Sequence, residues 1–493
     1  MARALASRAM VCVASAALTA ASCDAPISDP REREIVDVLT RADASLILDR
    51  PELVRAKYEA MAESDFAFYR GTFPLFVHDA SRGAIGPESS AFDREIFPFS
   101  IGDAHPENFG SLPGPDGVFA IEPNDFDAAD RYPYAWEVRR LAVGLVLAVR
   151  ASSPLDAEAR AAATSHERED AIAFARSYAE TMTGFAAGAP RARLVDGAGS
   201  PVLEDVFERS VRDTASRREL EDRTEIIDGA RSLVRGVVDP EDPTGVYSDA
   251  PSIVLEALPA TLDRYRASLC HPPDPSFFTV KDAVREYGAG VASIPRARWV
   301  VLVEGATLAI DDDVLLEMKE LADAPSPSVA PPGVFADDIQ ARVEAARRTC
   351  WVVPDEDPLW GTSELLGLPV QIKGDFDGYK TFRVHRLEKE RGTPEALARW
   401  SEDLGRILAT VHAGSERDFP GTVAAIAAAV DDADAFASEQ ADVAIAYADR
   451  VARDRALFTD ALAALGPTLG LVPGEGDGLR PDARALIGSE DAP

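Results

Sequence analysis

Positive charge is what this chain has least of. Its 493 residues carry 51 Lys and Arg against 84 Asp and Glu, a formal net charge of −33. Proteins that bind nucleic acid do so through clustered Lys and Arg on phosphates. Here no basic tract goes beyond short pairs such as Arg217-Arg218, which argues against nucleic acid as a partner. Histidine and cysteine are scarce too, at six and four, and no Cys-x-x-Cys or His/Cys spacing suits zinc. The apolar run Ala9 to Ala21 is shorter than the roughly 20 residues a membrane-spanning helix needs. What the chain has is length for two or three domains or one large bilobal unit. Its 46% hydrophobic content is enough for a sizeable core.

The first residues read as a targeting segment, with Arg3 and Arg8 ahead of the apolar run. Ala20-Ala21-Ser22-Cys23 resembles a bacterial lipoprotein cleavage box, in which the Cys becomes the lipidated first residue. Residues 1–23 are therefore expected to be a lipoprotein signal peptide and 24–45 a tether. The mature protein is expected to be exported and anchored to the membrane of the cell envelope through Cys23, with an ordinary secretory signal as the alternative. Cys12 leaves with the signal; Cys270 and Cys350 remain, a pair that an exported protein can bridge.

The chain is organised around residues 99–130. Phe99-Ser-Ile-Gly runs into Asp103, His105 and Asn108; Val118-Phe-Ala-Ile runs into Asn124, Asp125 and Asp127. The Gly/Pro-rich stretch 111–117 between them carries turn residues that fold the second run back beside the first. Carboxylates and an amide gathered this way suit a hard cation such as Mg²⁺. An Asp, an Asn five residues on, and a later Asp in Asp-Phe-Asp stand in the order that kinases use. The first Asp accepts the hydroxyl proton; the Asn and the later Asp hold metal on the phosphates. The order assigns Asp103 to catalysis and Asn108 and Asp125 to metal; His105 is a further catalytic candidate, and Asp127 a candidate to assist the metal ligands. Just upstream, Phe66-Ala-Phe-Tyr-Arg70-Gly71 offers Arg70 to a phosphate or carboxylate of the site, or to a structural ion pair.

From about residue 277 the texture changes to strands. A run ending at Tyr287 enters Gly288-Ala-Gly290-Val-Ala-Ser293. Trp299 to Val303 is a strand, Glu304-Gly305 a turn, and Val314 to Lys319 a second strand. A Gly-rich loop, a strand, a turn and a strand ending in Lys is the layout of a kinase small lobe, where loop and lysine meet ATP phosphates. Gly288, Gly290, Ser293 and Lys319 are thus candidate cofactor contacts, with Arg70. Glu344, on a helix expected over 337–348, is the candidate partner of Lys319, and Glu320 the second choice. Tyr379 to Leu387 alternates like a strand. Glu395 to Ala413 reads as a helix ending at His412. Residues 467–493 read as a disordered tail.

Gly102-Asp103-Ala-His105-Pro-Glu-Asn108 resembles the Gly-Asp-x-His-x-x-Asn loop of aminoglycoside and choline phosphotransferases, which are kinase-like. The parts stand in the order of a circular permutation, with catalytic and metal loops first and Gly-rich loop, Lys and Glu last. The combination resembles an uncharacterised bacterial family, domain of unknown function 2252. It is carried by residues 66–71, 102–110, 124–127, 136–142 and 288–293, by Lys319, and by 404–413. The resemblance implies an α+β, bilobal, circularly permuted protein-kinase-like fold with extra helices. A helical large lobe is expected over 46–276, completed by 391–466, with a small β lobe over 277–390. It implies a phosphotransferase moving the ATP γ-phosphate to a hydroxyl with Mg²⁺, or an inactive kinase-like binding protein; a metal-dependent hydrolase is the third reading. Such a fold must bring Lys319 to Asp125 and the end of the His412 helix to Ile101.

Overall fold

The computed structural model describes residues 27–471 except 87–94, 115, 153–156, 196–198, 240–241, 288–289, 323–337, 356, 375–376 and 388–392. The signal peptide with Cys23, Gly288, and most of the tail (472–493) lie outside the described residues. No described helix is long and apolar enough to cross a membrane. The chain folds as a mixture of helix and strand.

The helical part is built around Tyr134–Ser152, which is buried without a break from Tyr134 to Val149. A helix apolar all round must be covered on every side. Ala157–Ala186, Pro394–Ala413 and Ala433–Leu465 cover it, and Trp136, Tyr178 and Trp400 are fully buried among them. Each such side chain contributes about 1.5–3 kcal/mol by leaving water. Pro394–Ala413 starts where Thr393 accepts the Ala396 N–H with Pro at the first helical position, a strong start signal.

The expected tether is corrected in part. Pro30–Ala42 is a helix capped by Asp29. It buries Ile35, Val38 and Leu39, and Arg31 pairs with Asp79 and Asp454. Polar composition suggested a free segment, but the cap and the apolar stripe make it part of the lobe.

The second part is an antiparallel seven-stranded sheet. Its spatial order is Gly361–Leu365, Leu368–Gly374, Val314–Glu320, Arg298–Val303, Val280–Tyr287, Asp242–Asp249, Gly236–Asp239. Trp299 to Val303 is buried on both faces, as befits a central strand. On one side Trp299, Val301, Met318 and Ile372 pack on Val254, Leu258 and Tyr265 of helix Ser252–Ser268. On the other, Val300 and Leu302 meet Leu220, Leu233 and Tyr247. The expected start of the strand-rich part at 277 is therefore too late. Two further strands, Gly236–Asp239 and Asp242–Asp249, precede it, and Pro243 is tolerated because it lies beyond the pairing of Val246–Asp249 with Val284–Tyr287.

Beneath the sheet lies a smaller one, in the order Lys380–Thr381, Phe109–Pro113, Phe119–Pro123, Leu194–Val195. A hairpin forms here, but not between the expected runs: Phe109–Pro113, whose last three residues were expected in the turn, pairs with Phe119–Pro123, Phe109 opposite Pro123 and Gly117 in the left-handed region, while Phe99–Ser100 pairs with Asp130–Arg131. Only Lys380–Thr381 of the strand expected over 379–387 pairs, and Val384–Arg386 turns away in a 3-10 helix.

Candidate functional site

The hairpin sets both polar clusters at one end of the small sheet. Asp103, His105 and Asn108 enter its first strand; Asn124, Asp125 and Asp127 leave its second. The Asn124 N–H donates to the Asn108 carbonyl at 3.1 Å, so the clusters are stitched at their base. Asn108 Nδ2 donates to the Asp103 carbonyl at 2.8 Å. Gly102 makes the approach possible. Its φ is +84°, and a Cβ there would stand 2.1 Å from the Ala128 carbonyl oxygen, a contact no other residue could make without moving the backbone.

Lys319 reaches this site from the seven-stranded sheet. Its Nζ lies 3.1 Å from Asp125 Oδ2 and 2.6 Å from Asp127 Oδ2, although Lys319 and Asp125 stand 194 residues apart. The Asp127 N–H donates to Asp125 Oδ1 at 3.1 Å. Asp127 Oδ1 is buried with no hydrogen-bond partner. Burial opposes charge on Asp125, but the Lys319 ammonium and the Asp127 amide outweigh it and hold that carboxyl below its usual range. Burial and the neighbouring Asp125 charge push Asp127 up. Burial opposes the Lys319 charge as well, and the two carboxylates outweigh it, keeping the ammonium firmly protonated.

Asp103 is held from behind. Arg140, on the Tyr134–Ser152 helix, donates to Asp103 Oδ1 from Nε at 3.0 Å and from Nη2 at 2.7 Å. Its guanidinium stacks 3.6 Å from the Tyr69 ring and also donates to the Tyr69 carbonyl. Burial lifts Asp103 above the ordinary carboxyl range despite Arg140. His105 is buried edge-on to Phe66. Burial, with Arg70 and Arg140 close by, holds it well below its ordinary range, so the ring is neutral.

The loop has a second anchor. Glu137, one turn before Arg140, accepts the Gly102 N–H on Oε1 at 2.7 Å, and its Oε2 lies 2.7 Å from His412 Nε2. His412 Nδ1 meets the Tyr178 hydroxyl at 2.8 Å. Glu137 thus bridges His412, near the end of helix Pro394–Ala413, to Gly102, the residue after Ile101.

The remaining candidates divide. Arg70 meets a carboxylate, Glu107 of the same loop, at 2.6 Å. Gly290 has φ +77° and sits against Ser293 in the connection between strands Val280–Tyr287 and Arg298–Val303. Glu344 is a correction. It pairs with Arg347 at 2.8 Å and Arg348 at 2.6 Å on its own helix, Ile339–Cys350, and not with Lys319. Arginines three and four residues on are the nearest cations a helical Glu can find. Glu320 pairs with Arg50 and Arg296 instead. Cys270 is exposed, Cys350 buried, and both are free.

Some neighbours of the site were missed in the sequence. Arg342, on the Glu344 helix, donates to the carbonyls of Asp127, Ala129 and Ala322, locking the second cluster to the end of the Lys319 strand. Lys373 pairs with Glu317 at 3.5 Å and helps to hold Asp125 charged. Strand alternation was the available signal: Lys373 faces Glu317 and Gln371 faces Lys319 across one ladder.

A family described as an uncharacterized protein conserved in bacteria (DUF2252) matches residues 49–461. The chain belongs to it. No curated protein and no solved structure matches the chain. The DUF2252 match takes in both polar clusters, Lys319 and His412, so this site lies wholly inside the family's span.

Proposed function

We propose that this DUF2252 protein is a circularly permuted, kinase-like phosphotransferase that moves the γ-phosphate of ATP to a hydroxyl acceptor with Mg²⁺. The observation that carries the reading is Lys319 against Asp125. A cation from a β-sheet and a carboxylate from a hairpin, far apart in sequence, serve one small volume. Phosphoryl transfer needs a lysine and metal-holding carboxylates around the same phosphates.

The donor set suits a hard cation: oxygens of Asp125, Asp127 and the Asn108 amide, with Asp127 Oδ1 buried and unpartnered. These residues would hold Mg²⁺, and Lys319 would hold phosphate oxygens, with Gly290 and Ser293 over them. Bound Mg-ATP supplies the phosphoryl group and the neutralisation of its charge. Asp103 receives the hydroxyl proton. Arg140 occupies its Oδ1, so Oδ2 faces the acceptor. Glu137 and His412 hold the loop at Gly102, and neutral His105 is packing for the loop. We propose the cell envelope as its location, on the lipoprotein-like box that ends at Cys23.

A ligand that binds only the folded chain stabilises it by about 2.7 kcal/mol at a hundredfold excess over its dissociation constant. Mg-ATP should raise the melting temperature of the wild type and raise it less for Asp125→Asn. An equal rise in both removes Asp125 from the site. A rise without transfer to any hydroxyl acceptor favours the inactive binding protein, and no rise in either ends the nucleotide reading.

A further inference from the structure

Lys319 does more at this site than wait for phosphate. Its Nζ takes one oxygen from each of Asp125 and Asp127, at 3.1 and 2.6 Å. Those oxygens are the ones a divalent ion would share. The lysine is buried, with its side chain 8% exposed, and it is fixed on a central strand between Arg298–Val303 and Leu368–Gly374. Asp125 Oδ1 is meanwhile taken by the Asp127 N–H. One carboxylate oxygen, Asp127 Oδ1, remains without a partner.

We infer that Lys319 is a built-in counter-ion which keeps free divalent metal out of the Asp125–Asp127 pair, so that the site selects a metal–polyphosphate complex over the bare ion. A unit positive charge within about 4 Å of an incoming cation repels it strongly in a partly desolvated site. A polyphosphate changes the balance. Its oxygens offer the ammonium a new anionic partner and bring the metal some of its ligands. The ammonium then leaves the carboxylates to the ion. By linkage, polyphosphate must raise metal affinity by the same factor that metal raises polyphosphate affinity. The inference uses the phosphotransferase reading only in taking these two carboxylates as the metal's ligands, and no turnover enters its test.

The test is direct binding of Mn²⁺, followed by its paramagnetic resonance signal, with and without a non-hydrolysable ATP analogue. The proteins are wild type, Lys319→Met, Lys319→Arg, and Lys319→Met with Asp125→Asn. Without nucleotide, Lys319→Met should bind Mn²⁺ about tenfold or more tightly than wild type. Lys319→Arg keeps the charge and should match wild type; the double variant should lose the gain. The analogue should tighten Mn²⁺ more in wild type than in Lys319→Met. If folded Lys319→Met, with wild-type circular dichroism, binds Mn²⁺ no better than wild type, the inference is overturned. If Lys319→Met does not fold, Lys319→Gln takes its place. If the Mn²⁺ gain appears but the analogue binds neither protein, exclusion of bare metal stands and the phosphotransferase reading falls.

Discussion

Removing the Glu137 carboxylate tests the frame that holds the Asp103 loop. Glu137 is 1% exposed and His412 fully buried, so neither falls back on water. Glu137 receives the Gly102 N–H and meets His412 Nε2, both at 2.7 Å. Glu137→Ala strands two buried polar groups, at about 1–3 kcal/mol each. The summed expectation is about 4 kcal/mol. Glu137→Gln keeps the shape and the bond from Gly102, and exchanges charge-assisted bonds for neutral ones, at about 1 kcal/mol each, or about 2 kcal/mol in all. Urea unfolding, read as a double-mutant cycle with His412→Ala, gives both costs and their coupling, expected at about 1 kcal/mol or more. Hydrogen exchange at the Gly102 amide should quicken in Glu137→Ala. A cost below about 0.5 kcal/mol for Glu137→Ala, with no coupling to His412, would refute the claim that this pair anchors the loop.

Location is tested at Cys23: Cys23→Ser should move the protein from membrane to soluble fractions, and wild-type protein found free in the cytoplasm with Met1 intact would overturn the lipoprotein assignment. Stability should also depend on pH through Asp170, whose oxygens are both buried without hydrogen-bond partners and whose carboxyl burial pushes up to about 7. The folded chain then keeps a proton that the unfolded chain releases above about pH 4. Stability is lost as pH rises from about 4 to about 7, and the loss is complete above that. Asp170→Asn should be close to neutral at pH 4 and stabilise by up to about 4 kcal/mol at pH 8, at about 1.4 kcal/mol per pH unit; an equal effect at both pH values would refute it.

By itself, the sequence determined several of this protein's local features. Turn residues within 111–117 announced a chain reversal, and with it two clusters of oxygen donors at one end, though the arm that pairs is 109–113. Apolar periodicity placed the helix ending at His412, and the unbroken apolar run at 299–303 placed a strand. Such features depend on neighbours a few residues away, so the chain states them directly. Tertiary structure decided the choice of partners. Lys319 meets Asp125 and Asp127 because a seven-stranded sheet is laid over the hairpin. Two of that sheet's strands, 236–239 and 242–249, were hidden by the prolines in and around them; Pro243 is accommodated because the pairing with Val284–Tyr287 begins only at Val246. Glu344 had the right residue type on the right helix, yet Arg347 and Arg348 take its charge. His412 looked like any helix-end histidine until Glu137, 275 residues away, came to meet it. A buried charge must find a counter-charge or a hydrogen bond, and which one it finds is set by the packing of lobes, a long-range outcome that no single stretch of sequence carries.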